Sequence, residues 1–310
     1  MDFSTNFTVR TDLADEVYES VSHKSKEQID GIRFEEGEFL GTKVTCVTVE
    51  NENGEKLASK PIGKYITIDV GEIWKKTSDE FENTAKVISR TLKKMIKTDG
   101  LCLVVCLGND QITSDAIGPL CAKKLIVSRH LKKSDKSLFD ALCLGECACI
   151  VPGVTGNTGA EAVEIIKGVV NVLKPSYVIV VDALASRKLS RLAKTVQISN
   201  TGICPGSGVG NNRGEISKQT LGVETISIGV PTVVDAITLC VDILSDNIFE
   251  NSEQIEYICT RLSQNPQSFY VAPKETDSII SSMAKLLGFS LNFTFHGEDM
   301  TISEMEEFLS

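Results

Sequence analysis

The chain has 310 residues, of which 42% are hydrophobic and 24% charged, and its formal net charge is −10. This composition is typical of a globular protein with a buried core, and the excess of acidic residues argues against nucleic-acid binding, because phosphate binding requires Lys and Arg. No apolar run approaches the roughly 20 residues of a membrane span and residues 1–16 contain no apolar signal segment, so we expect a cytoplasmic protein with no membrane partner, whose ten cysteines are reduced thiols.

The N-terminal part of the chain predicts a helix followed by strands. Thr11 or Asp12 is a candidate N-cap for the helix. Residues 41–49 and 64–69 alternate between apolar and polar side chains, which predicts a β-hairpin or meander. Asn53-Gly54 is a candidate turn within the connection between them.

Two later apolar runs each lead to an aspartate. Residues 101–107 are followed by Asp115, and residues 177–181 by Asp182. Short, continuous apolar runs rich in β-branched residues are typical of parallel strands that are buried on both faces. Ligands bind outside the carboxyl ends of such strands, so the pair predicts an active site there.

The remaining pattern completes one α/β domain. Helices are predicted over 79–96 (with Ser78 as N-cap), 116–130, 160–173, 236–244, within 246–269 and over 276–287, and further strands over 195–199 and 225–235. We therefore predict a central, mostly parallel sheet with helices on both faces and additional N-terminal β structure.

Phosphate-binding loops, a serine nucleophile and a catalytic triad have little support in the sequence. The glycine-rich loops at 153–159 and 206–210 lack the phosphate-binding patterns, so we interpret them as backbone turns. Ser207 does not lie in a nucleophile elbow. The histidines give little support for a catalytic triad and are predicted on the surface: His23, His130 and His296.

The aspartates have two interpretations. One carboxylate can act as a general base on water while a neighbouring, protonated carboxyl polarises a carbonyl group. Asp115 and Asp182 are the candidates, with Asp110 and Asp235 nearby. Alternatively, either residue caps a following helix, and the residue pattern leaves both interpretations open.

Several stretches in chain order resemble the germination proteases of spore-forming bacteria. They are residues 9–14, 107–109, 115–119, 152–156, 165–169, 181–185, 205–211 and 228–236. The resemblance implies an α/β fold similar to that of the hydrogenase maturation proteases. It also implies an aspartate-dependent endopeptidase whose two essential acids match Asp115 and Asp182.

The same resemblance implies the biology. The expected substrates are small acid-soluble spore proteins, degraded in the forespore or spore core during germination. The expected enzyme is a homotetramer made as a zymogen, which removes residues 1–12 by cutting between Asp12 and Leu13 and leaves one protease domain at 13–310. No cofactor, metal or nucleic-acid partner is expected.

Backbone N–H groups of the glycine loops are our candidates for binding the substrate and its oxyanion. These candidates are Gly108, Asn109, Gly206, Ser207 and Gly208. Two alternatives stay open: a metallopeptidase that uses Asp115, Asp182 and a further ligand, and a non-catalytic binding module on the same scaffold.

Overall fold

A computed structural model describes residues 10–22, 29–207, 213–246 and 269–309. The strands of this part of the chain are β1 (Ile32–Phe39), β2 (Thr42–Val49), β3 (Gly63–Asp69), β4 (Cys102–Cys106), β5 (Cys147–Ile150), β6 (Tyr177–Ser186), β7 (Thr195–Ser199), β8 (Glu224–Asp235) and β9 (Tyr270–Val271). They form one sheet in the order β1-β2-β3-β7-β8-β6-β4-β5, with β9 paired to β8.

Helices cover the sheet on both faces. They are α1 (Ala14–Ser22), α2 (Glu52–Ala58), α3 (Ser78–Met95), α4 (Ile117–Ala122), α5 (Arg129–Ser134), α6 (Lys136–Ala141), α7 (Thr155–Thr158), α8 (Ala162–Leu173), α9 (Lys218–Leu221), α10 (Ala236–Asp246), α11 (Thr276–His296) and α12 (Ile302–Leu309). The predicted α/β fold is therefore confirmed.

The sheet has a parallel half and an antiparallel half. Strands β8, β6, β4 and β5 are parallel, whereas β1, β2, β3 and β7 pair antiparallel with their neighbours and β7 joins the halves by pairing with β8. The additional N-terminal β structure is thus a continuation of the same sheet. Because the sheet is continuous, the loop before β3 lies near the polar side chains that β6 and β7 carry.

Alternation along β4 divides the core between the two faces of the sheet. Cys102, Val104 and Cys106 pack on the face covered by α3, α4 and α11. Leu103 and Val105 pack on the opposite face with the apolar side of α8. Both sets are fully buried, which explains why the strand appears in the sequence as a continuous apolar run.

Some local predictions are wrong. Asn53 and Gly54 lie in α2, where the side chain of Asn51 caps the helix by accepting a hydrogen bond from the Gly54 N–H at 3.0 Å. The helix predicted at 116–130 divides into α4 and α5. The N-cap of α3 is Thr77, which forms a capping box with Glu80.

The C-terminal helix is longer than its predicted bounds. The helix predicted at 276–287 continues to His296, and it is buried around much of its circumference in its second half. His296 was predicted on the surface, but it is only 7% exposed and its Nε2 lies 2.9 Å from the carbonyl oxygen of Ile126. Most of the prediction for 246–269 falls outside the residues that the structure describes.

Candidate active site

Asp182 lies within β6, at the level where the neighbouring strand stops. The last pair between β4 and β6 joins Cys106 to Val181, so Asp182 is the first residue of β6 beyond the end of β4. On its other side, Asp182 still pairs with Gly229 of β8. The missing neighbour leaves space beside the carboxyl group, although its residue is only 5% exposed.

Asp115 reaches the same place through a loop that folds back on β4. It ends a 3₁₀ turn at Thr113–Asp115, and its carbonyl oxygen accepts a hydrogen bond from the Asn109 N–H at 3.0 Å. Gly108, with φ of +118°, makes the return possible, because a Cβ atom there would lie 2.0 Å from that carbonyl oxygen. The loop therefore requires glycine.

The helix-capping interpretation has no support from the contacts of either aspartate. The N-cap position of α4 is Ala116, with no side-chain cap. Asp182 is followed by further strand residues, and its Oδ1 accepts a hydrogen bond from the Ala183 N–H at 2.9 Å. Neither carboxyl group is thus committed to a helix end.

A cavity of about 310 Å³ joins the two acids. Its walls include Asp12, Asp115, Asp182, Gly108, Gly206 and Arg213. Burial, and then the negative charge of Asp115, raise the pKa of Asp182 well above its ordinary value. Burial also raises the pKa of Asp115, while the Asn109 amide and Arg213 oppose that shift. The site therefore favours retention of a proton between the two carboxyl groups.

This shift has a consequence for stability. Between the ordinary Asp pKa of about 3.9 and the raised one, the folded chain holds a proton that the unfolded chain has released, so stability falls as pH rises. We expect Asp182→Asn to be more stable than wild type at neutral pH, with the difference vanishing as pH falls to about 4. Denaturant unfolding across this range measures it, with the exposed Asp110→Asn as control. A constant difference between Asp182→Asn and wild type would contradict the assignment.

The other candidate residues occupy different positions around the cavity. Gly108 and Gly206 line it. The Asn109 N–H is occupied by Asp115, and Ser207 donates its hydroxyl proton to Oδ1 of Asp12 at 2.7 Å. Gly208 lies outside the described residues.

The N-terminal segment of residues 10–22 lies across this edge of the sheet. The Asp12 N–H donates to the Ala185 carbonyl at 2.9 Å, and the Ala185 N–H returns a bond to Oδ2 of Asp12 at 2.8 Å. Leu13 is fully buried. Further along, Glu16 accepts hydrogen bonds from the backbone N–H groups of Arg187 at 2.7 Å and Lys188 at 3.0 Å.

An ion-pair cluster fixes the following helix. Asp15 is 1% exposed and lies 2.9 Å from Arg191, and Glu19 contacts Lys188 at 2.6 Å and Arg191 at 3.3 Å. The segment is therefore held by hydrogen bonds of Asp12 and Glu16 to the backbone of residues 185–188 and by the ion pairs of Asp15 and Glu19. Asp12 and Leu13, the residues of the predicted cleavage, lie in the bonded part.

Sequence reasoning missed three residues that surround Asp12: Lys60, Gln197 and Arg213. The sequence contains no signal for Gln197, since the alternation in Thr195–Ser199 places it on the polar face of a strand, whereas the structure buries both faces. Lys60 lies in a connection between predicted strands and gives no signal either.

None of the helices in the described part of the chain combines the length and the apolar character that a membrane span requires. The same part of the chain contains no group of three or more His, Cys, Asp or Glu side chains arranged to hold a metal ion.

Comparison with known proteins identifies relatives along nearly the whole chain. The model of a family described as "Germination protease" matches residues 10–254. The germination protease of Clostridium perfringens strain 13 is 41% identical, with 98% of this chain and 100% of that one covered. Those of Caldanaerobacter subterraneus subsp. tengcongensis (40% identity, covering 97% and 98%) and Bacillus mycoides KBAB4 (33%, covering 94% and 95%) are also similar.

A solved structure shares a weaker likeness. The [NiFe] hydrogenase maturation protease HycI from Thermococcus kodakarensis overlaps 64% of this chain and 94% of its own, with a TM-score of 0.35 and 17% sequence identity.

Proposed function

The chain belongs to the germination protease family, and from this premise we propose an endopeptidase that begins the degradation of small acid-soluble spore proteins when spores germinate. We propose further that it is made as a zymogen, which removes residues 1–12 by cutting between Asp12 and Leu13. The catalytic acids of this proposal are Asp115 and Asp182.

One observation carries the proposal: the residue before the proposed cut lines the cavity that the two acids share. Asp12 lines the cavity of Asp115 and Asp182, and its charge contributes to the raised pKa of Asp182. The main-chain N–H and the carboxylate of Asp12 are both hydrogen-bonded to Ala185 of β6, which holds this residue against the strand.

The two acids divide the work in this proposal. The ionised carboxylate takes a proton from a water molecule, whose oxygen attacks the carbonyl carbon of the scissile bond. The protonated carboxyl group gives its proton to the departing amide nitrogen. Repulsion between close carboxylates and the burial of Asp182 favour one proton on the pair, which is the state that this division requires.

Recognition of an acidic residue before the cut follows from the contacts of Asp12. Its carboxylate accepts one bond from a backbone N–H of β6 and one from the Ser207 hydroxyl. The backbone N–H can only donate, so a carboxylate satisfies it and an ammonium group does not. The equivalent residue of a spore-protein substrate is proposed to occupy this position.

The test follows self-cleavage of purified wild-type chain by intact mass at mildly acidic pH, together with cleavage of a purified small acid-soluble spore protein. Self-cleavage is expected to produce a new N-terminus at Leu13. A chain that keeps residues 1–12 while cutting the spore protein at full rate would contradict the zymogen proposal. A chain that cuts neither would contradict the peptidase proposal as a whole.

Asp12→Lys is expected to slow self-cleavage at least tenfold. The substitution removes two charge-assisted hydrogen bonds, each worth about 1.5–3 kcal/mol, and places a cation against donors. Asp30→Lys, at an exposed position outside the groove, is the matched control and is expected to process at the wild-type rate. Equal processing of both variants would remove the recognition role of Asp12.

We also propose that the active enzyme is a homotetramer in the forespore or spore core, as the family resemblance implies. Light scattering of the processed chain measures the assembly.

A further inference from the structure

Two side chains donate hydrogen bonds to the carbonyl oxygen of Asp12. The Nζ of Lys60 lies 3.1 Å from it, and the Nε2 of Gln197 lies 2.9 Å from it. This carbonyl belongs to the peptide bond that the zymogen proposal cuts. Neither side chain has a role in the water activation by Asp115 and Asp182.

The side chain of Gln197 contacts the main chain on both sides of Leu13. While its Nε2 donates to the Asp12 carbonyl, its Oε1 accepts a hydrogen bond from the Ala14 N–H at 2.7 Å. The residue is 7% exposed on β7, and these two contacts use both ends of its amide. A buried amide requires partners, so β7 presents a side chain that matches the polar groups on either side of Leu13.

Lys60 directs a cation at the same oxygen. It lies in the connection between α2 and β3, and its hydrogen bond goes to a peptide carbonyl, while the carboxylates of Asp12 and Glu16 act on it through longer-range charge. Burial lowers the pKa of its ammonium group, which these two charges oppose. A partly desolvated ammonium group interacts with developing negative charge more strongly than one in water.

We propose that Lys60 and Gln197 form the oxyanion site of this peptidase. The inference rests on the proposed function, because it assigns the groups that stabilise the transition state of the same cleavage. The same pair would bind the scissile carbonyl of a spore-protein substrate, since that substrate enters the groove that the N-terminal segment occupies.

The chemical step balances with these groups. The water oxygen forms a bond to the carbonyl carbon of Asp12, its proton passes to the ionised aspartate, and the π electrons of the carbonyl move onto the oxygen between Lys60 and Gln197. When the carbonyl re-forms, the C–N bond to Leu13 breaks. The nitrogen takes its proton from the second aspartate, the one that was protonated from the start. The products are a carboxyl group on Asp12 and an amine on Leu13.

Distance and charge favour this pair over the glycine loops. Donors of an oxyanion site lie about 2.7–3.1 Å from the position of the oxygen, and both side chains fall within that range of the carbonyl oxygen. Of the loop N–H groups considered from sequence, those of Asn109 and Ser207 already donate to the carbonyl oxygens of Asp115 and Cys204. Loss of a single oxyanion donor typically lowers kcat by about 10²–10³-fold.

The test uses Lys60→Met, Lys60→Arg and Gln197→Glu. Gln197→Glu keeps the shape and the acceptor for Ala14, but replaces the donor with a negative charge. Lys56→Met, at an exposed position of α2, is the matched control. Self-cleavage is followed by intact mass, and each variant is incubated until intact mass shows the loss of residues 1–12, after treatment with a trace of wild-type enzyme where self-cleavage is too slow. Then kcat and KM are measured on a peptide with the sequence of residues 8–18.

We expect Lys60→Met and Gln197→Glu to lower kcat by about 10²–10³-fold with KM within about threefold of wild type, and Lys60→Arg to recover part of the loss. Thermal unfolding reports whether each variant folds. If Lys60→Met does not fold, Gln197→Glu still tests the proposed pair. Loss confined to KM or to Tm would show a structural role and overturn the inference. If wild type cuts and both variants keep kcat, the inference alone fails. If wild type does not cut, the proposed function fails and the inference with it.

Discussion

Asparagine in place of Asp115 or Asp182 is expected to lower peptide-bond cleavage by about 10³-fold or more, with the fold intact. General acid–base groups typically contribute 10²–10⁴-fold each, and the two acids are proposed to perform both proton transfers. Asparagine keeps the size of the side chain but can neither take nor give a proton at neutral pH. The measurement is the rate of cleavage of a small acid-soluble spore protein by each variant.

The control for this experiment is Asp110→Asn, because Asp110 is an exposed carboxylate in the loop between Gly108 and Asp115. It is expected to cleave at the wild-type rate. Activity within tenfold of wild type in either catalytic variant would refute the dyad. Assays with chelator extend the test: loss of wild-type activity that is restored by added metal would assign the enzyme to the metallopeptidases.

Phe289→Ala is expected to lower the free energy of unfolding by about 3–5 kcal/mol, the usual range for deletion of a fully buried phenylalanine. Phe289 lies on α11, is fully buried, and belongs to the core cluster between α3, α4 and the sheet. Denaturant unfolding measures the change. Phe308→Ala on α12, where the residue is 50% exposed, is the matched control and is expected to cost less than about 1 kcal/mol.

Equal losses at the two positions would show that α11 is not the core helix described here. The effect on activity should accompany the effect on stability, because α11 also packs against the 3₁₀ turn that ends at Asp115.

Hydrophobic patterning predicted three of the four parallel strands, β4, β6 and β8, but not the short strand β5. Residues 101–107 and 177–181 are continuous apolar runs because β4 and β6 are covered on both faces, and this pattern is local to each strand. The same patterning predicted the end of α11 at residue 287, whereas the helix continues to His296. Its second half is apolar around most of its circumference, so it loses the amphipathic period that marks a surface helix.

The site was predictable only where its residues follow apolar runs in the sequence. Asp115 and Asp182 come after apolar runs that contain β-branched residues and predict parallel strands, so their position at one edge of the sheet could be expected. Lys60 and Gln197 meet at the Asp12 carbonyl through pairing of β3 with β7, and nothing local in the sequence indicates that these strands are neighbours. Pairing between strands that are distant along the chain cannot be inferred from the pattern of a single sequence.

Under the proposed self-cleavage, the pairing of β3 with β7 would also set a time order for the loss of residues 1–12. Tyr65 of β3 pairs with Ser199 of β7, more than 130 residues further along the chain, and such distant contacts form slowly. The groups proposed to cut after Asp12 come from both sides of this pairing, so a chain in which β3 has not paired with β7 has both aspartates but an incomplete oxyanion site. Loss of residues 1–12 would then report that β3 and β7 have paired, and chains in which they have not paired would keep their N-termini.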